Sequence, residues 1–196
     1  MEMKVVAVNG SARKNGNTAM MIEEVARRLS SEGIGTETIE LSGMKLRGCT
    51  ACYGCVENRD NRCTVDDGMN EIYSAMVSAD GIILASPTYF SDVSAEMKAV
   101  IDRCGMVARA NGSTLRRKVG ASIVAVRRGG SIHAFDTMNH FFLIGEMIVV
   151  GSSYWNMGFG RNRGEFASDE EGIKTMRDLG SNMAYVLKRL NGEQIV

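Results

Sequence analysis

Four short runs of apolar residues constrain the fold of this chain more than any other feature. They are Val5–Val8, Ile82–Ala85, Ile123–Val126 and Ile148–Val150. Runs that are apolar at every position are typical of strands in a parallel sheet that is covered by helices on both faces. Residues Thr36–Leu41 alternate between polar and apolar side chains instead, which predicts a half-exposed edge strand.

Helical stretches separate and follow the predicted strands. Apolar residues recur at helical spacing in the first and last of these stretches, and five helices are predicted: Thr18–Ser31, Gly68–Ser78, one after Asp92, Ser131–Ile144 and Ser168–Leu190. Right-handed crossovers then predict an α/β, doubly wound, five-stranded parallel sheet, and the exposed second strand favours the order 2-1-3-4-5. Ligands of such folds bind beyond the carboxyl ends of the strands, so the loops after the first, third and fourth strands are candidate binding loops.

Composition and charge fit a single domain over residues 1–196. Because 23 Lys and Arg residues balance 23 Asp and Glu residues, nothing favours nucleic acid or an anionic membrane surface as a partner. The most apolar stretch, residues 141–150, is interrupted by Gly145 and Glu146 and is too short to span a membrane. The first ten residues lack a signal-peptide pattern, so we expect a cytoplasmic location, where thiols stay reduced.

Two long stretches do not match regular elements. Residues 42–66, after the second strand, carry four of the five cysteines. Residues 152–166 are rich in aromatic residues, glycine and arginine. Loops of this length in a compact domain are usually functional or disordered, and these two compositions argue against disorder.

The four loop cysteines follow the pattern C-x2-C-x2-C-x7-C, at Cys49, Cys52, Cys55 and Cys63. Three thiols within seven residues can point at one centre while the fourth folds back, which suits a [4Fe-4S] cluster held by four thiolates. Structural zinc fits less well, since its sites usually pair two C-x-x-C units across a longer loop. A pair of disulfides, or inert thiols in a loop, would give the same spacing. Cys104 lies on a predicted helix and is expected to be a small buried residue.

The loop after the first strand, Asn9–Thr18, has the chemistry of a phosphate site. Ser11 and Thr18 carry hydroxyls, Asn17 an amide and Arg13 a guanidinium, at the start of a helix whose free N–H groups and dipole favour an anion. The loop matches neither G-x-G-x-x-G nor G-x-x-x-x-G-K-[ST], so neither a dinucleotide fold nor a nucleoside triphosphatase is indicated. An ordinary polar loop that caps a helix is the alternative.

The loops after the third and fourth strands can contact a flat ring such as a flavin. Thr88 and Ser91 can hydrogen-bond the ring or its ribityl chain, and Tyr89 or Phe90 can cover the ring unless both pack beneath the next helix. Pro87, the only proline, stiffens this turn. After the fourth strand, the backbone can approach a ring edge at two residues without Cβ atoms, Gly129 and Gly130.

Together these motifs resemble a known family. The segments "GSARKNGNT" and "SPTYFSDVSAEMKAVIDR" are similar to the NADPH-dependent FMN reductase superfamily of flavodoxin-like proteins. With the cysteine motif between them, the chain more narrowly resembles the iron–sulfur flavoproteins. The resemblance covers the whole chain, including "GSSYWNMGFG", and departs from many relatives at Ala12, where they have proline, and in "RRGGSIHAFD" after the fourth strand.

The resemblance implies two cofactors and an assembly. It implies a flavodoxin-like fold that binds FMN, and a homo-oligomer, either a dimer or a tetramer, in which the cluster of one subunit lies near a neighbour's flavin. The implied phosphate ligands of FMN are Ser11, Arg13, Asn17 and Thr18. The implied ring and ribityl contacts are Pro87, Thr88, Tyr89, Phe90, Ser91, Gly129 and Gly130. The implied ligands of the [4Fe-4S] cluster are Cys49, Cys52, Cys55 and Cys63.

We therefore expect a redox flavoprotein that needs no acid–base dyad or nucleophile, because the cofactors supply the chemistry. NAD(P)H is a possible electron donor, and a redox protein such as a ferredoxin is a possible partner. Two further functions stay open. One is an NAD(P)H-dependent FMN or quinone reductase whose cysteine loop holds no cluster. The second is a non-enzymatic electron carrier, or a partner-binding module with zinc in the loop.

Replacement of any one loop cysteine by serine should remove cluster iron while FMN stays bound, because the thiol loop and the phosphate loop are separate in sequence. Iron and flavin per chain are measured for four variants and a control, Cys104→Ser, which should keep its iron. A variant that retains all of its iron would remove that residue from the ligand set. The four variants are Cys49→Ser, Cys52→Ser, Cys55→Ser and Cys63→Ser.

Overall fold

One parallel sheet forms the centre of the computed structural model, which describes residues 3–192. Its strand order is β2-β1-β3-β4-β5, and every neighbouring pair is parallel. The predicted order 2-1-3-4-5 is therefore confirmed. The strands are β1 (Lys4–Asn9), β2 (Gly35–Glu40), β3 (Gly81–Pro87), β4 (Val119–Val126) and β5 (Ile148–Val149).

Six helices are present in the described part of the chain, and most of them cover the two faces of this sheet. None of the helices within residues 3–192 combines the length and the apolar character that crossing a bilayer requires. The helices are α1 (Asn17–Ser31), α2 (Gly54–Asn58), α3 (Met69–Ser78), α4 (Ala95–Ala110), α5 (Ser131–Ile144) and α6 (Glu170–Leu190).

Two apolar cores explain why the central strands carry no polar face. Val6 and Val8 of β1 point into a core under α3, α4 and α5, whereas Val5 and Ala7 point into a second core under α1 and α6. Successive side chains of a strand alternate between faces, so both faces of β1 have to be apolar. β2 lies at the edge with its residues half-buried or exposed, as its alternating sequence predicts.

The two stretches predicted as irregular, residues 42–66 and 152–166, contain short regular elements, so that part of the prediction is wrong. Helix α2 lies inside the cysteine loop. In the second stretch, β6 (Met157–Phe159) pairs with β4, so the sheet has six strands rather than the predicted five, and a 3-10 helix (Glu165–Ser168) begins. The three residues of β6 are too few for the alternation of polar and apolar side chains to be recognised in the sequence. β6 forms because β5 pairs only with the start of β4 and leaves its end open.

Helix α4 links the two regions in which the sequence predicts binding sites. It begins directly after the loop that follows β3, where Ser94 accepts a hydrogen bond from the Met97 N–H at 3.2 Å and caps the first turn. Its C-terminal half contacts the cysteine loop, and the backbone N–H of Asn61 donates to the Asn111 side chain just beyond the helix end at 3.0 Å. One rigid element thus positions both loops.

Candidate functional site

The loops after β1, β3 and β4 surround a pocket of about 250 Å³ at the carboxyl edge of the sheet, here called the polar pocket. The turn after β6, residues 160–166, closes its remaining side. The predicted flavin-binding residues that line this pocket are Ser11, Arg13, Asn17, Thr18, Pro87, Thr88 and Tyr89. Six further residues, which the sequence analysis did not predict to bind flavin, also line the pocket: Gly16, Ala125, Arg127, Gly160, Arg161 and Arg163.

Hydrogen bonds within the loop after β1 hold it in one shape. The fully buried Asn9 side chain accepts from the Ser11 N–H at 3.0 Å and donates to the Glu40 carboxylate at 3.0 and 3.1 Å. The Ser11 hydroxyl in turn accepts from the Arg13 N–H at 3.1 Å. The loop is therefore preorganised before any ligand arrives, and Asn9 has an organising role that its sequence position did not reveal.

The first turn of α1 supplies unpaired backbone donors to the polar pocket. Gly16 precedes the helix, and within the described chain no side chain caps this turn. The first four N–H groups of a helix have no partner inside it, and they carry the positive end of the helix dipole. Thr18, whose hydroxyl was predicted to bind phosphate, is buried at this turn. The arrangement suits an anion.

Asn17 serves a purpose that the sequence did not indicate. Its side-chain amide donates to the Asn162 carbonyl at 2.9 Å and accepts from the Gly164 N–H at 2.9 Å, so it ties the 160–166 turn to α1. A Cβ atom on Gly160 would lie 2.4 Å from the Asn17 amide nitrogen, so any larger residue there would displace this amide. Since the amide oxygen and one amide N–H are occupied, the groups of Asn17 left for a phosphate are its backbone N–H and its second amide N–H.

The 160–166 turn brings two further guanidinium groups to the polar pocket, those of Arg161 and Arg163. Arg13 donates to the Arg161 carbonyl at 3.3 Å, and the Arg163 side chain donates to the Asn15 carbonyl at 3.0 Å. Together with Arg127 they make the pocket strongly positive. The arginines of "GRNRGE" were a sequence signal, but nothing local to this segment indicated which strand end they would meet.

Glu165 stabilises this turn from outside the polar pocket. Its carboxylate accepts the backbone N–H groups of Arg161 and Asn162 at 2.7 and 2.9 Å. The N–H groups of Asn162 and Arg161 hold the pKa of Glu165 below its usual value, because they stabilise the charged form. The turn therefore keeps its shape while its arginine side chains stay available for a ligand.

Thr88 carries the clearest sign of a missing partner in the polar pocket. Its hydroxyl oxygen is buried, and it has no hydrogen-bond partner among the residues that the structure describes. A buried polar group without a partner costs about 1–3 kcal/mol, so a polar ligand atom is expected there. This agrees with the sequence prediction that Thr88 bonds a flavin or its ribityl chain.

The turn after Thr88 exposes its aromatic residues. Tyr89 and Asp92 exchange two backbone hydrogen bonds, at 2.8 and 3.0 Å, and between them Phe90 and Ser91 adopt left-handed backbone angles. Tyr89 is 44% exposed and Phe90 is fully exposed. The alternative that both aromatic residues pack beneath the next helix is therefore wrong, and their rings are available to a ligand or a partner.

Four of the predicted flavin contacts lie beside the polar pocket rather than in its lining. They are Phe90, Ser91, Gly129 and Gly130. Gly130 has a φ of 85° and precedes α5, and a Cβ atom there would lie 2.5 Å from the Ser91 hydroxyl oxygen. The loops after β3 and β4 are thus packed against each other, which requires glycine. Contact of these four residues with a flavin ring stays a prediction.

The four loop thiols line one cavity of about 170 Å³, here called the thiol cavity. Its exposed surface is mostly apolar, and the side chains of Met106 and Val107 on α4 form part of the wall. A water molecule occupies about 30 Å³ in the liquid, so this cavity can hold a group of several heavy atoms. All five cysteines are free thiols. The four that line the cavity are Cys49, Cys52, Cys55 and Cys63.

Unusual backbone angles direct the thiols of the cysteine loop inward. Ala51 and Tyr53, which alternate with the cysteines, have φ values of 52° and 58°. Such conformations of non-glycine residues cost roughly 1–3 kcal/mol each and persist where the surrounding structure enforces them. Gly54 follows, and a Cβ atom there would lie 2.3 Å from the Thr64 methyl group. The loop therefore adopts a strained backbone in order to bring the thiols together.

The thiols of the cavity have different environments. The Thr64 hydroxyl lies 3.2 Å from the Cys52 sulfur and lowers the pKa of that thiol, with the Gly54 backbone adding to the effect. Burial raises the pKa of Cys55, and the neighbouring thiols raise it further. Cys104 is fully buried outside the cavity, and burial raises its pKa to about 12. Its predicted role as a small buried residue is confirmed.

The arrangement of the thiols separates a cluster from a single ion. Among residues 3–192, no three histidine, cysteine or acidic side chains lie close enough together to hold one metal ion. A zinc ion binds thiolates at about 2.3 Å, so its ligands crowd around one point. In a [4Fe-4S] cluster each thiolate binds a different iron, so the sulfurs stand further apart around a larger space. The thiol cavity fits a cluster better than a zinc ion.

The two sites of one chain are separated along α4. The loop that lines the polar pocket precedes Ser94, whereas the thiol cavity contacts the helix between Arg103 and Val107. At 1.5 Å per residue, residues 103–107 lie about 14–20 Å along the helix axis from Ser94. The two sites share no lining residue, so each binds its own ligand.

Comparison with known proteins identifies the family. The family described as "NADPH-dependent FMN reductase" matches residues 3–162. An iron-sulfur flavoprotein of Methanocaldococcus jannaschii is 39% identical over 193 residues, which cover 95% of this chain and 98% of that protein. An iron-sulfur flavoprotein of Methanosarcina thermophila is 33% identical, over 95% of this chain and 96% of that protein. The chain belongs to the NADPH-dependent FMN reductase family and, within it, to the iron–sulfur flavoproteins.

Solved structures support the fold independently. A WrbA-like flavodoxin from Agrobacterium tumefaciens superimposes with a TM-score of 0.65 at 16% identity, over 96% of this chain and 99% of that one. A flavodoxin from the domain Archaea gives a TM-score of 0.60 at 17% identity, over 95% of this chain and 99% of that one. The predicted flavodoxin-like fold, with the cysteine loop after β2, is confirmed.

Substitution of Arg13 by alanine should weaken the binding of FMN far more than that of riboflavin, which lacks the phosphate. A charge-assisted contact to phosphate is worth about 1.5–3 kcal/mol, or roughly ten- to a hundredfold in affinity. Fluorescence titration of the flavin-free protein measures both ligands. Arg27→Ala, an exposed arginine of α1 that pairs with Glu23 and Glu24, is the matched control. Equal losses for FMN and riboflavin would show that Arg13 does not bind the phosphate.

Proposed function

We propose that this protein is an electron-transferring oxidoreductase that binds FMN in the polar pocket and a [4Fe-4S] cluster in the thiol cavity. The observation that carries the proposal is the convergence of four free thiols on one largely apolar cavity, in a chain whose relatives are named iron-sulfur flavoproteins. The polar pocket supports the flavin half of the proposal separately, because the two sites share no residues.

The polar pocket has groups suited to the phosphate, the ribityl chain and the ring system of FMN. The first turn of α1 offers backbone N–H groups to a phosphate, and the guanidinium groups of Arg13, Arg161 and Arg163 neutralise its charge. Thr88 has a hydroxyl free for the ribityl chain, and the exposed ring of Tyr89 can lie against the flat ring system. FMN, when bound, supplies the ability to exchange electrons either singly or in pairs.

The thiol cavity supplies what a cluster requires from a protein. The four cysteines offer thiolates, and Met106 and Val107 give the cavity an apolar wall on the side of α4, whereas Cys49 and Cys52 are exposed on its outer side. Burial and hydrogen bonds to the sulfurs are the means by which a protein sets a cluster's potential. A [4Fe-4S] cluster, when bound, exchanges single electrons. The chain itself provides binding and orientation, and no side chain has to act as acid, base or nucleophile.

We propose NAD(P)H as the electron donor, in keeping with the family to which the chain belongs. A more open cavity of about 590 Å³ adjoins the polar pocket and shares Arg127 and Arg161 with it. The two arginines can bind the phosphates of an anionic donor, while Glu165 and Asp169, which also line this cavity, accept backbone N–H groups of the protein. A small redox protein such as a ferredoxin is the corresponding partner for single electrons, and the assay below distinguishes the two as donors.

Protein purified or reconstituted under anaerobic conditions tests the function. About one FMN and about four iron atoms per chain are expected. Added NADPH should bleach the flavin bands first and the broad cluster absorbance afterwards. If a ferredoxin reduces the flavin and NADPH does not, the ferredoxin is the electron donor. Flavin without iron, even after reconstitution with iron and sulfide, would contradict the cluster and favour the reductase that lacks one.

We also propose that FMN and the cluster exchange electrons across a subunit interface in a homo-oligomer. Within one chain the two sites share no lining residue, and the thiol cavity contacts α4 about two to three turns beyond the start of this helix. Tyr154 and Trp155 offer a surface for association: their rings stack edge to face at 4.7 Å and are 53% and 51% exposed. Exposed aromatic residues of this kind are frequent anchors of interfaces.

A monomeric variant tests this arrangement. The variant with both Tyr154→Glu and Trp155→Glu should be a monomer that retains both cofactors. Electron transfer from reduced flavin to cluster, followed by stopped-flow absorbance, should be slower in this variant. Tyr185→Glu, which changes an equally exposed aromatic residue on α6, is the control and should leave the assembly intact. Unchanged transfer in a monomer would mean that both centres meet within one chain.

A further inference from the structure

We propose that Arg103 is a positioning residue of the thiol cavity, which holds Cys63 in place and makes the bound cluster easier to reduce. This inference rests on the proposed function, because it assumes a cluster in the cavity. It concerns a residue of α4 that lies outside the cysteine motif, and nothing in the spacing of the cysteines points to it.

The guanidinium of Arg103 is almost completely buried, with 1% of its side chain exposed. Its Nε and Nη2 atoms donate to the Cys63 sulfur at 3.4 and 3.3 Å. Nη1 donates to the Asp67 carboxylate at 2.7 Å and to the Arg47 carbonyl at 2.9 Å, and Nη2 also donates to the Val65 carbonyl at 2.9 Å. These five contacts match the five N–H donors of an arginine side chain.

These contacts tie the two ends of the cysteine loop together. Arg47 precedes the first cysteine of the motif, and Val65 follows the last one, so a single side chain spans the loop. The Asp67 carboxylate also accepts the backbone N–H of Arg47 at 2.8 Å. Cys63 is held on its other side by Asn70, whose amide accepts its N–H at 2.8 Å and donates to its carbonyl at 3.1 Å. The sulfur therefore has a defined position before a cluster binds.

Arg103 is placed where an apolar residue would be expected. It shares one face of α4 with Val100, Cys104 and Val107, all of which are buried in the core. Taking a guanidinium out of water is costly, and a well-packed apolar side chain often serves stability as well or better. Asp67 and the two backbone carbonyls use three of the five N–H groups of Arg103, and the other two point at the Cys63 sulfur, where a negatively charged group bound in the cavity would meet them.

Reduction of the cluster adds one electron and therefore one negative charge to the cluster and its thiolates, and no proton or bond need change. Two N–H groups that point at the Cys63 sulfur, on a buried cation, stabilise that added charge. Hydrogen bonds to the sulfurs are among the factors that set cluster potentials. Asp67 carries the opposite charge on the same guanidinium and weakens the effect. The two residues should therefore shift the potential in opposite directions.

Three variants and one control test the inference. Arg103→Lys retains the charge without the forked donors, Arg103→Met removes both, and Asp67→Asn removes the opposing charge. Arg109→Met, an exposed arginine on the same helix, is the control. The cluster potential is measured by redox titration with electron paramagnetic resonance, with the flavin potential of the same sample as internal reference and with iron and FMN contents determined for each variant.

At a fixed potential, the ratio of reduced to oxidised cluster should be lower in both Arg103 variants than in the unsubstituted protein. In Arg103→Met it should fall by at least about tenfold, which corresponds to 59 mV for one electron. Asp67→Asn should raise this ratio. The flavin potential and the FMN content should not change. Where Arg103→Met binds no iron, Arg103→Lys and Asp67→Asn decide the question.

Potentials of Arg103→Lys and Asp67→Asn that match those of Arg109→Met would overturn the inference and leave Arg103 a structural role only. Loss of iron from all three variants, with FMN retained, would have the same meaning. Failure of the proposed function is a separate outcome, because the unsubstituted protein would then bind no cluster after anaerobic reconstitution.

Discussion

Burial of both faces of β1, β3 and β4 is the constraint on which the rest of this structure depends. Most side chains of these strands lie in one of the two apolar cores, so few of them are free for chemistry. Functional groups are therefore confined to the loops. Because the strands are parallel, the loops after their carboxyl ends meet at one edge. The polar pocket lies at this edge, and the first turn of α1 adds its free N–H groups to it.

Distant segments complete both sites through single polar side chains. Asn17 joins the 160–166 turn to the start of α1, and with that turn come Arg161 and Arg163. Arg103 joins α4 to both ends of the cysteine loop in the same way. In each case one hydrogen-bonded side chain holds two distant segments together without an extensive packed interface between them. Each site is consequently preorganised without a ligand, which lowers the ordering cost when one binds.

Helix α4 gives the two sites their relationship. Its start follows the loop that lines the polar pocket, and its second half forms a wall of the thiol cavity. In the homo-oligomer that we propose, a neighbouring subunit links the cofactor sites of two chains. The same helix carries Arg103, so the element that separates the sites also adjusts one of them.

The sequence by itself determined the sheet and its order, because continuous apolar runs and a half-polar second strand leave few other arrangements. It also determined which two segments are predicted to bind the cofactors. The four thiols of Cys49–Cys63 and the phosphate loop Asn9–Thr18 each carry their chemistry within a short span. Only the tertiary structure decided that the Asn17 amide holds a turn, that Arg161 and Arg163 line the polar pocket, and that Arg103 reaches Cys63. The physical reason is range. Local spacing encodes period and motif, whereas these contacts join residues 40 to almost 150 positions apart, and they form only when the sheet brings loops and helices together.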